Sequence, residues 1–265
     1  MKIGIIGFGS IGSTLFEFIQ TRLSSQASVT SICELDQQLT QTVIKHFPNI
    51  KLLDIRSLIQ EVDLVIECAN TQLVPEIIEG CLTYKKNVII MSIGGLADNQ
   101  LLSKIHTSLI KVYIPSGAIG GLDVLKAAKT GEIYKVKLIT QKSPMALKDA
   151  PYFAQKNISA EAITSRTVIF SGNALEAIAV FPKNINVAMA LSLAGIGWDK
   201  TQVEIIADPS LTKNCHEIIL EGDFGRMQCI TENEPFARNP KTSRLAALSC
   251  QALLVKLLTP LEIGT

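Results

Sequence analysis

The sequence predicts an α/β fold in which an N-terminal doubly wound parallel sheet is followed by a C-terminal α+β domain. Short apolar strands alternate with helices through the first 115 residues, which is typical of a parallel sheet covered on both faces. A glycine-rich turn joins the first strand to the first helix. Beyond Pro115, longer strand-like stretches predict a second, mostly antiparallel sheet.

In the first half, predicted strands and helices alternate along the chain. The strands are Lys2–Ile6, Val29–Cys33, Leu64–Cys68, Val88–Met91 and Val112–Ile114. The helices between them are Ile11–Arg22, Leu35–His46, Val74–Tyr84 and Asn99–Leu109. The first helix carries apolar residues at helical spacing, and the apolar character of the strands fits burial on both sides of a parallel sheet.

The second half has a different pattern. Its predicted strands are Val136–Gln141, Thr167–Phe170, Val203–Ala207, Glu217–Leu220 and Met227–Thr231. Its predicted helices are Leu122–Lys129, Ala174–Val180, Val187–Ala194 and Thr242–Leu258. The last helix is expected to begin behind Asn239-Pro240, which reads as a cap residue followed by a first-turn proline.

Composition and charge exclude several classes of partner. The chain has 25 basic and 24 acidic residues without a long run of either sign, so neither nucleic acid nor an anionic membrane is expected to bind. Its apolar stretches fall short of the ~20 residues that a membrane-spanning helix needs. The first residues enter a strand directly without a signal-peptide layout, so a cytoplasmic protein is expected. The six cysteines show no metal-ligand spacing, and no metal site is expected.

The strongest motif lies between the first strand and the first helix. It reads Gly7-Phe8-Gly9-Ser10-Ile11-Gly12, the G-x-G-x-x-G pattern of dinucleotide-binding Rossmann domains. Gly7 permits a tight turn, Gly9 lets a pyrophosphate approach the backbone, and Gly12 lets the helix pack closely. The helix N-terminus at Ser10 and Ile11 offers N–H groups and a positive dipole end to the phosphates. The motif therefore predicts a nicotinamide dinucleotide cofactor.

An acidic residue follows the second strand where such a cofactor requires one. Glu34, 27 residues after Gly7, is placed to accept hydrogen bonds from the adenosine ribose hydroxyls. Its charge would repel a 2′-phosphate, so NAD is expected in preference to NADP, with Arg56 and Lys45 as the cations that would allow NADP.

Later strands of the first half end in polar or small residues. The segments are Glu67-Cys68-Ala69-Asn70, Ser92-Ile93-Gly94-Gly95 and Ser116-Gly117-Ala118. Ligands bind at the carboxyl ends of strands in such sheets, and small residues there leave room for the nicotinamide ribose and ring. Ala69 is therefore a further candidate cofactor contact.

One of the three histidines is a candidate catalytic residue. Strand alternation puts His216 on the same face as Ile218 and Leu220. Taken alone, this neighbourhood favours a hydrogen-bonded core histidine. His46 and His106 lie in polar helical stretches and are expected to be solvated.

Four segments, in the same order along the chain, resemble the L-aspartate dehydrogenase family. They are Ile114–Asp123, Phe181–Val187, Ala207–Pro209 with Asn214–His216, and Asn239–Ser243. The resemblance runs from the glycine loop to the last helix, and only residues 143–161 match no family segment.

The resemblance implies that L-aspartate is oxidised by NAD(P)⁺ to iminoaspartate, which hydrolyses to oxaloacetate and ammonia or feeds quinolinate and NAD synthesis. It also implies a homodimer. His216 matches the active-site histidine, and Ala118 and Asn186 match a cofactor-contacting alanine and asparagine. A histidine that titrates near neutral pH can take up the amine proton or activate the water that attacks the imine.

The two substrate carboxylates need cations or N–H donors. Lys183, Lys241 and the predicted helix start at Thr242 and Ser243 are the candidates.

Two domains follow from these predictions. Residues 1–115 are expected to bind the dinucleotide, and residues 116–265 to bind substrate and dimerise. The last helix, about 242–258, is a candidate to pack back on the first domain. Two alternatives stay open: a related enzyme of the homoserine dehydrogenase or dihydrodipicolinate reductase type, and a non-catalytic dinucleotide-sensing protein.

Overall fold

Six parallel strands within the fully described range 1–115 form the sheet of the first compact unit. The computed structural model describes residues 1–182, 185–236, 239–261 and 263–264, without the side chains of residues 239–241. The strands are β1 (Lys2–Ile6), β2 (Ser28–Cys33), β3 (Lys51–Leu52), β4 (Leu64–Glu67), β5 (Asn87–Ile90) and β6 (Val112–Tyr113). Their order is β3-β2-β1-β4-β5-β6, and each neighbouring pair is parallel. The predicted Rossmann-type sheet is confirmed.

Helices connect these strands, and the central strands supply the core. The helices are α1 (Ser10–Arg22), α2 (Gln37–His46), α3 (Ile55–Glu61), α4 (Val74–Tyr84) and α5 (Asn99–His106). Ile5, Ile66 and Ile89, on β1, β4 and β5, are completely buried. Because the strands are parallel, the loops that follow β1, β2 and β4 all leave from one edge of the sheet.

The sequence prediction missed β3 and α3. Asp54 caps α3, since its carboxylate accepts a hydrogen bond from the Ser57 backbone nitrogen at 3.0 Å. Leu58 and Ile59 of this helix are buried in the core. An Asp three residues before a Ser, followed by apolar residues, was the available signal for this helix start.

The second compact unit, within Ser116–Ser249, is built on a five-stranded mixed sheet. Its strands are β7 (Ile133–Lys142), β8 (Thr167–Asn173), β9 (Gln202–Ala207), β10 (Asn214–Gly222) and β11 (Gly225–Asn233). The order is β11-β10-β7-β9-β8, with β7 and β9 parallel and the other pairs antiparallel. This confirms the predicted α+β half with a mostly antiparallel sheet.

Helices of the second half precede, separate and follow these strands. They are α6 (Leu122–Ala128), α7 (Pro144–Leu147), α8 (Pro151–Lys156), α9 (Ala174–Val180), α10 (Asn186–Ala194) and α11 (Arg244–Leu258). The segment 143–161, which matched no family segment, thus contains two short helices. None of the helices in the described ranges is both long and apolar enough to cross a bilayer.

The predicted start of the last helix at Thr242 is wrong. A short strand, β12 (Pro235–Phe236), pairs antiparallel with β13 (Asn239–Ser243), and α11 begins only at Arg244. An Asn-Pro pair is typical of turns as well as of helix starts. Here the segment pairs with the preceding strand and does not begin a helix. Thr242 and Ser243 therefore belong to a strand and do not supply helix N-terminal amides. The part of α11 from Cys250 onward groups with the first unit.

A buried carboxylate ties together two loops of the first unit. Glu67, at the end of β4, is 0% exposed. It accepts hydrogen bonds from the backbone nitrogens of Ala69 (2.8 Å), Met91 (3.2 Å) and Ser92 (2.8 Å), and from the Ser92 hydroxyl (2.7 Å). Burial raises the pKa of Glu67, and these hydrogen bonds oppose the rise. The Glu67 carboxylate therefore stabilises two loops of the protein, although the sequence analysis listed it among strand ends expected to face a ligand.

Glu67→Gln should lower the free energy of unfolding by about 1–3 kcal/mol, because the amide nitrogen cannot accept the hydrogen bonds that the carboxylate receives. Urea denaturation measures the change. The control is Glu61→Gln, at a half-exposed carboxylate that pairs with Lys51, and it should have a much smaller effect. Equal losses in the two variants would contradict this role for Glu67.

Candidate functional site

The glycine loop forms the turn from β1 into α1, and its three motif glycines have different surroundings. Gly7 has φ of +90°, and a Cβ there would lie 2.8 Å from the backbone of Ala69. A Cβ on Gly12 would lie 2.1 Å from the carbonyl oxygen of Gly7. A Cβ on Gly9 would meet nothing within 4 Å. Packing therefore requires Gly7 and Gly12, whereas Gly9 leaves an open surface on the loop.

The N-terminus of α1 lies directly after this open surface. Gly9 is the cap residue of the 13-residue helix, so no side chain caps its first turn, which begins with Ser10 and Ile11. The helix dipole places partial positive charge at this end, where it favours an anion.

A cavity of about 610 Å³ adjoins the loop within the first unit. It lies at the ends of β1, β2 and β4, and its lining includes Gly7, Gly9, Glu34, Arg56 and Ala69. An open glycine and an uncapped helix end suit a pyrophosphate, and a carboxylate suits ribose hydroxyls. The residues present therefore fit a dinucleotide.

Glu34 joins the end of β2 to the glycine loop. Its Oε2 accepts a hydrogen bond from the Phe8 backbone nitrogen at 2.6 Å, and its Oε1 accepts from the backbone nitrogens of Leu35 (2.7 Å) and Asp36 (2.9 Å). A carboxylate offers about four acceptor positions, so it can accept one more donor, such as a ribose hydroxyl. The sequence did not predict the bond to Phe8, which fixes the carboxylate relative to the loop.

In the second unit, polar side chains are buried on a face of the sheet that is otherwise apolar. On β7, Val136 and Leu138 share this face with the next two alternate residues, Thr140 and Lys142. The polar members of this face, all less than a tenth exposed, are Thr140, Lys142, Asn214, His216 and Asn233. We call these five residues the polar cluster.

His216 is fixed within the polar cluster by a residue on the neighbouring strand. It lies opposite Thr140 in the antiparallel pairing of β10 with β7, and Nδ1 is 3.0 Å from the Thr140 hydroxyl oxygen. His216, Ile218 and Leu220 are all buried, which confirms the predicted alternation. Because Thr140 engages Nδ1, Nε2 is the nitrogen through which the ring can exchange a proton with a ligand.

Burial and a neighbouring charge set the protonation state of His216. Burial lowers its pKa to about 3, and the positive charge of Lys142 contributes to this shift. Burial also lowers the pKa of Lys142, to about 8. The expected titration of His216 near neutral pH is therefore wrong for the side chain in this environment, because the imidazole is neutral at pH 7. A carboxylate bound beside both groups would raise both pKa values.

Ala118, a predicted cofactor residue, lies next to the polar cluster. Its carbonyl oxygen accepts hydrogen bonds from the Thr231 hydroxyl and from Nδ2 of Asn233, both at 3.0 Å. Thr231 lies opposite His216 in the pairing of β10 with β11. The structure thus brings Ala118 and His216 together through one strand.

Three further predicted site residues are described: Ser243 lies near the cluster, Asn186 at a helix start and Thr242 in a strand. Nδ2 of Asn214 is 3.4 Å from the hydroxyl oxygen of Ser243, which is buried. Asn186 is half-buried and begins α10. Thr242 is half-buried in β13.

Two predicted substrate residues have no described side chains, and four members of the polar cluster were not predicted as site residues: Thr140, Lys142, Asn214 and Asn233. Lys183 lies outside the described residues, as does the side chain of Lys241. Lys142 was not predicted from the sequence. Its signal was the two-residue alternation that carries it onto the buried face with Val136 and Leu138.

His216→Asn should flatten the pH dependence of the free energy of unfolding between about pH 4 and pH 6. The unfolded histidine takes up a proton near pH 6.5 and the native one only near pH 3, so wild-type stability falls as pH falls through this range. The slopes should differ by up to one proton, about 1.4 kcal/mol per pH unit. Urea denaturation at several pH values measures both slopes. Equal slopes would show that His216 is not buried in its neutral form.

Comparison with known proteins identifies relatives over the whole chain. A model of the aspartate dehydrogenase C-terminal domain matches residues 123–257, and a model of the homoserine dehydrogenase NAD-binding domain matches residues 7–112. The chain is 44% identical to an L-aspartate dehydrogenase of Methanococcoides burtonii, with 100% of both proteins covered. The crystal structure of aspartate dehydrogenase from Thermotoga maritima matches with a TM-score of 0.76 and 28% identity, covering 100% of this chain and 99% of that one. The chain therefore belongs to the L-aspartate dehydrogenase family.

Proposed function

We propose that the protein oxidises L-aspartate to iminoaspartate with NAD, and that the imine then hydrolyses to oxaloacetate and ammonia. The observation that carries this proposal is His216 in the polar cluster, within the segment that matches the aspartate dehydrogenase C-terminal model. The full-length similarity to proteins named L-aspartate dehydrogenase supports the choice of substrate.

The first unit contains most of the groups proposed to hold the cofactor. The open backbone at Gly9 and the helix end at Ser10 and Ile11 would bind the pyrophosphate, and Glu34 would accept a ribose hydroxyl. Gly7, Gly12 and Ala69 shape the same loop and cavity. Ala118 and Asn186 are proposed as further cofactor contacts from the family resemblance. NAD, when bound, accepts the hydride that leaves Cα of the substrate.

The lining of the cavity bears on the choice between NAD and NADP. The Glu34 carboxylate would repel a 2′-phosphate, and this favours NAD. Arg56 lines the same cavity and donates a hydrogen bond from Nε to the Tyr84 hydroxyl at 2.7 Å. We propose NAD as the preferred cofactor, with Arg56 as the cation that would allow NADP to bind.

His216 is proposed to act as the general acid and base at the imine. Neutral at pH 7, it can accept a proton through Nε2 from the water that adds to the imine carbon, and return that proton to the departing amine. A substrate carboxylate near His216 would raise its pKa and so strengthen it as a base. Thr140 holds the ring in the required orientation through Nδ1.

The proposal also covers the oligomeric state of the protein and its location in the cell. We expect a homodimer, as the family resemblance implies, and we propose a cytoplasmic location. No nucleic acid or membrane partner is part of the proposal, in keeping with the near balance of charge.

Gly9→Val should abolish NADH binding without unfolding the protein. The new Cβ would have no protein atom within 4 Å, and the backbone at Gly9 is extended with a negative φ (φ −68°, ψ −157°), so the fold should survive. The side chain would occupy the surface proposed for the pyrophosphate. Fluorescence titration with NADH and circular dichroism measure the two properties. A folded variant with wild-type NADH affinity would rule out this loop as the phosphate site.

The proposed reaction predicts NADH formation with L-aspartate, and little or none with D-aspartate, L-glutamate or L-homoserine. His216→Asn should lower kcat about 10²–10⁴-fold, the usual contribution of a positioned acid or base, with little change in NADH affinity. The rate of NADH formation, measured by its absorbance, gives both the comparison of substrates and the comparison of the variant with the wild type. Turnover of L-homoserine in place of L-aspartate would contradict the proposed substrate. Near-wild-type turnover by a folded His216→Asn protein would remove His216 from the mechanism.

A further inference from the structure

Lys142 has an unusual position for a lysine. It is 6% exposed, and among the described side chains no other lysine and no arginine is buried. It is the last residue of β7, where its backbone pairs with Ala207 of β9. Removing an ammonium group from water is costly, so a buried lysine calls for a functional or structural reason.

The strand register places the Lys142 side chain beside His216. Thr140 lies directly opposite His216, and Lys142 follows Thr140 by two residues, so all three side chains share one face of the sheet. The separation of such diagonal neighbours is within reach of a long side chain. The electrostatic effect of Lys142 on His216 agrees with this proximity.

The lysines on the opposite face of β7 are paired with acids of the sheet. Nζ of Lys137 is 2.9 Å from a carboxylate oxygen of Glu204, and Nζ of Lys135 is 3.4 Å from one of Glu221. Their charges are compensated at a partly exposed surface. Lys142 lies on the other face of β7, where it is buried in the polar cluster beside the proposed acid–base residue.

We propose that Lys142 binds a carboxylate of the substrate beside His216 and so contributes to selection of a dicarboxylic amino acid. The proposal rests on the proposed function for the identity of the substrate. A carboxylate there would form a charge-assisted hydrogen bond with the ammonium group in surroundings shielded from water, where such bonds are strong. It would also oppose the effect of the Lys142 charge, which disfavours a proton on His216.

The test compares Lys142→Met with Lys137→Met, a matched control on the same strand but on the opposite face. Lys142→Met should raise KM for L-aspartate and Ki for succinate, a dicarboxylate that cannot react, by about 10- to 100-fold, the range for loss of a hydrogen bond to a charged group. NADH affinity should stay at the wild-type value. Lys137→Met should change none of these quantities. Wild-type KM and Ki in a folded Lys142→Met protein would overturn the proposal.

A measurement on the wild-type protein covers the case in which Lys142→Met does not fold. Protein labelled with ¹³C at lysine Cε should show a resonance that titrates near pH 8. Saturating succinate, with NADH present, should move that titration to higher pH, because a bound carboxylate stabilises the ammonium form. An unchanged titration at saturating succinate would overturn the proposal.

Failure of the proposed function would have a different signature. If wild-type protein formed no NADH with L-aspartate, the reaction would be wrong, yet the succinate comparison would still decide whether Lys142 binds a carboxylate. If wild type were active and Lys142→Met had the same KM and Ki, only the role of Lys142 would be rejected.

Discussion

The four hydrogen bonds to the Glu67 carboxylate illustrate the constraint on which both units depend: a polar group removed from water must find partners inside the protein. At Glu67, those partners are the loops that follow β4 and β5. At Glu34, they are the Phe8 amide of the glycine loop and the amides that follow β2. Both acids thereby fix loops at the carboxyl edge of the sheet, where the proposed pyrophosphate and ribose contacts lie.

The same constraint operates in the second unit with a different result. Nδ1 of His216 is paired with the Thr140 hydroxyl of β7, and the Ala118 carbonyl accepts hydrogen bonds from Thr231 and Asn233 of β11. These bonds compensate burial, but the charge of Lys142 still disfavours a proton on His216. A buried face that contains polar and charged groups stabilises the fold less than an apolar one would. This loss of stability supports the interpretation that the polar cluster has a function.

Several errors of the sequence prediction have the same physical origin. Asn239-Pro240 is a valid helix-start signal, but hydrogen bonding with β12 turned the segment into β13. Glu67 has the appearance of a ligand-facing strand end, and its partners Met91 and Ser92 are brought to it only by the pairing of β4 with β5. His216 has the residue type of a neutral-pH acid or base, and burial shifts its pKa far below neutrality. The first outcome depends on pairing with a strand a few residues away, and the other two depend on contacts between distant parts of the chain.

The sequence by itself determined what local periodicity and local sterics encode. The alternation of apolar strands and helices predicted the parallel sheet, the glycines at positions 7, 9 and 12 predicted the loop, and the spacing within β10 predicted the face on which His216 lies. The tertiary structure alone decided which residues lie opposite one another. Thr140 is 76 residues from His216, and only the register of β7 against β10 brings it, and with it Lys142, to the histidine. Side-chain alternation fixes the face of one strand, whereas pairing partners are set by the packing of the whole sheet.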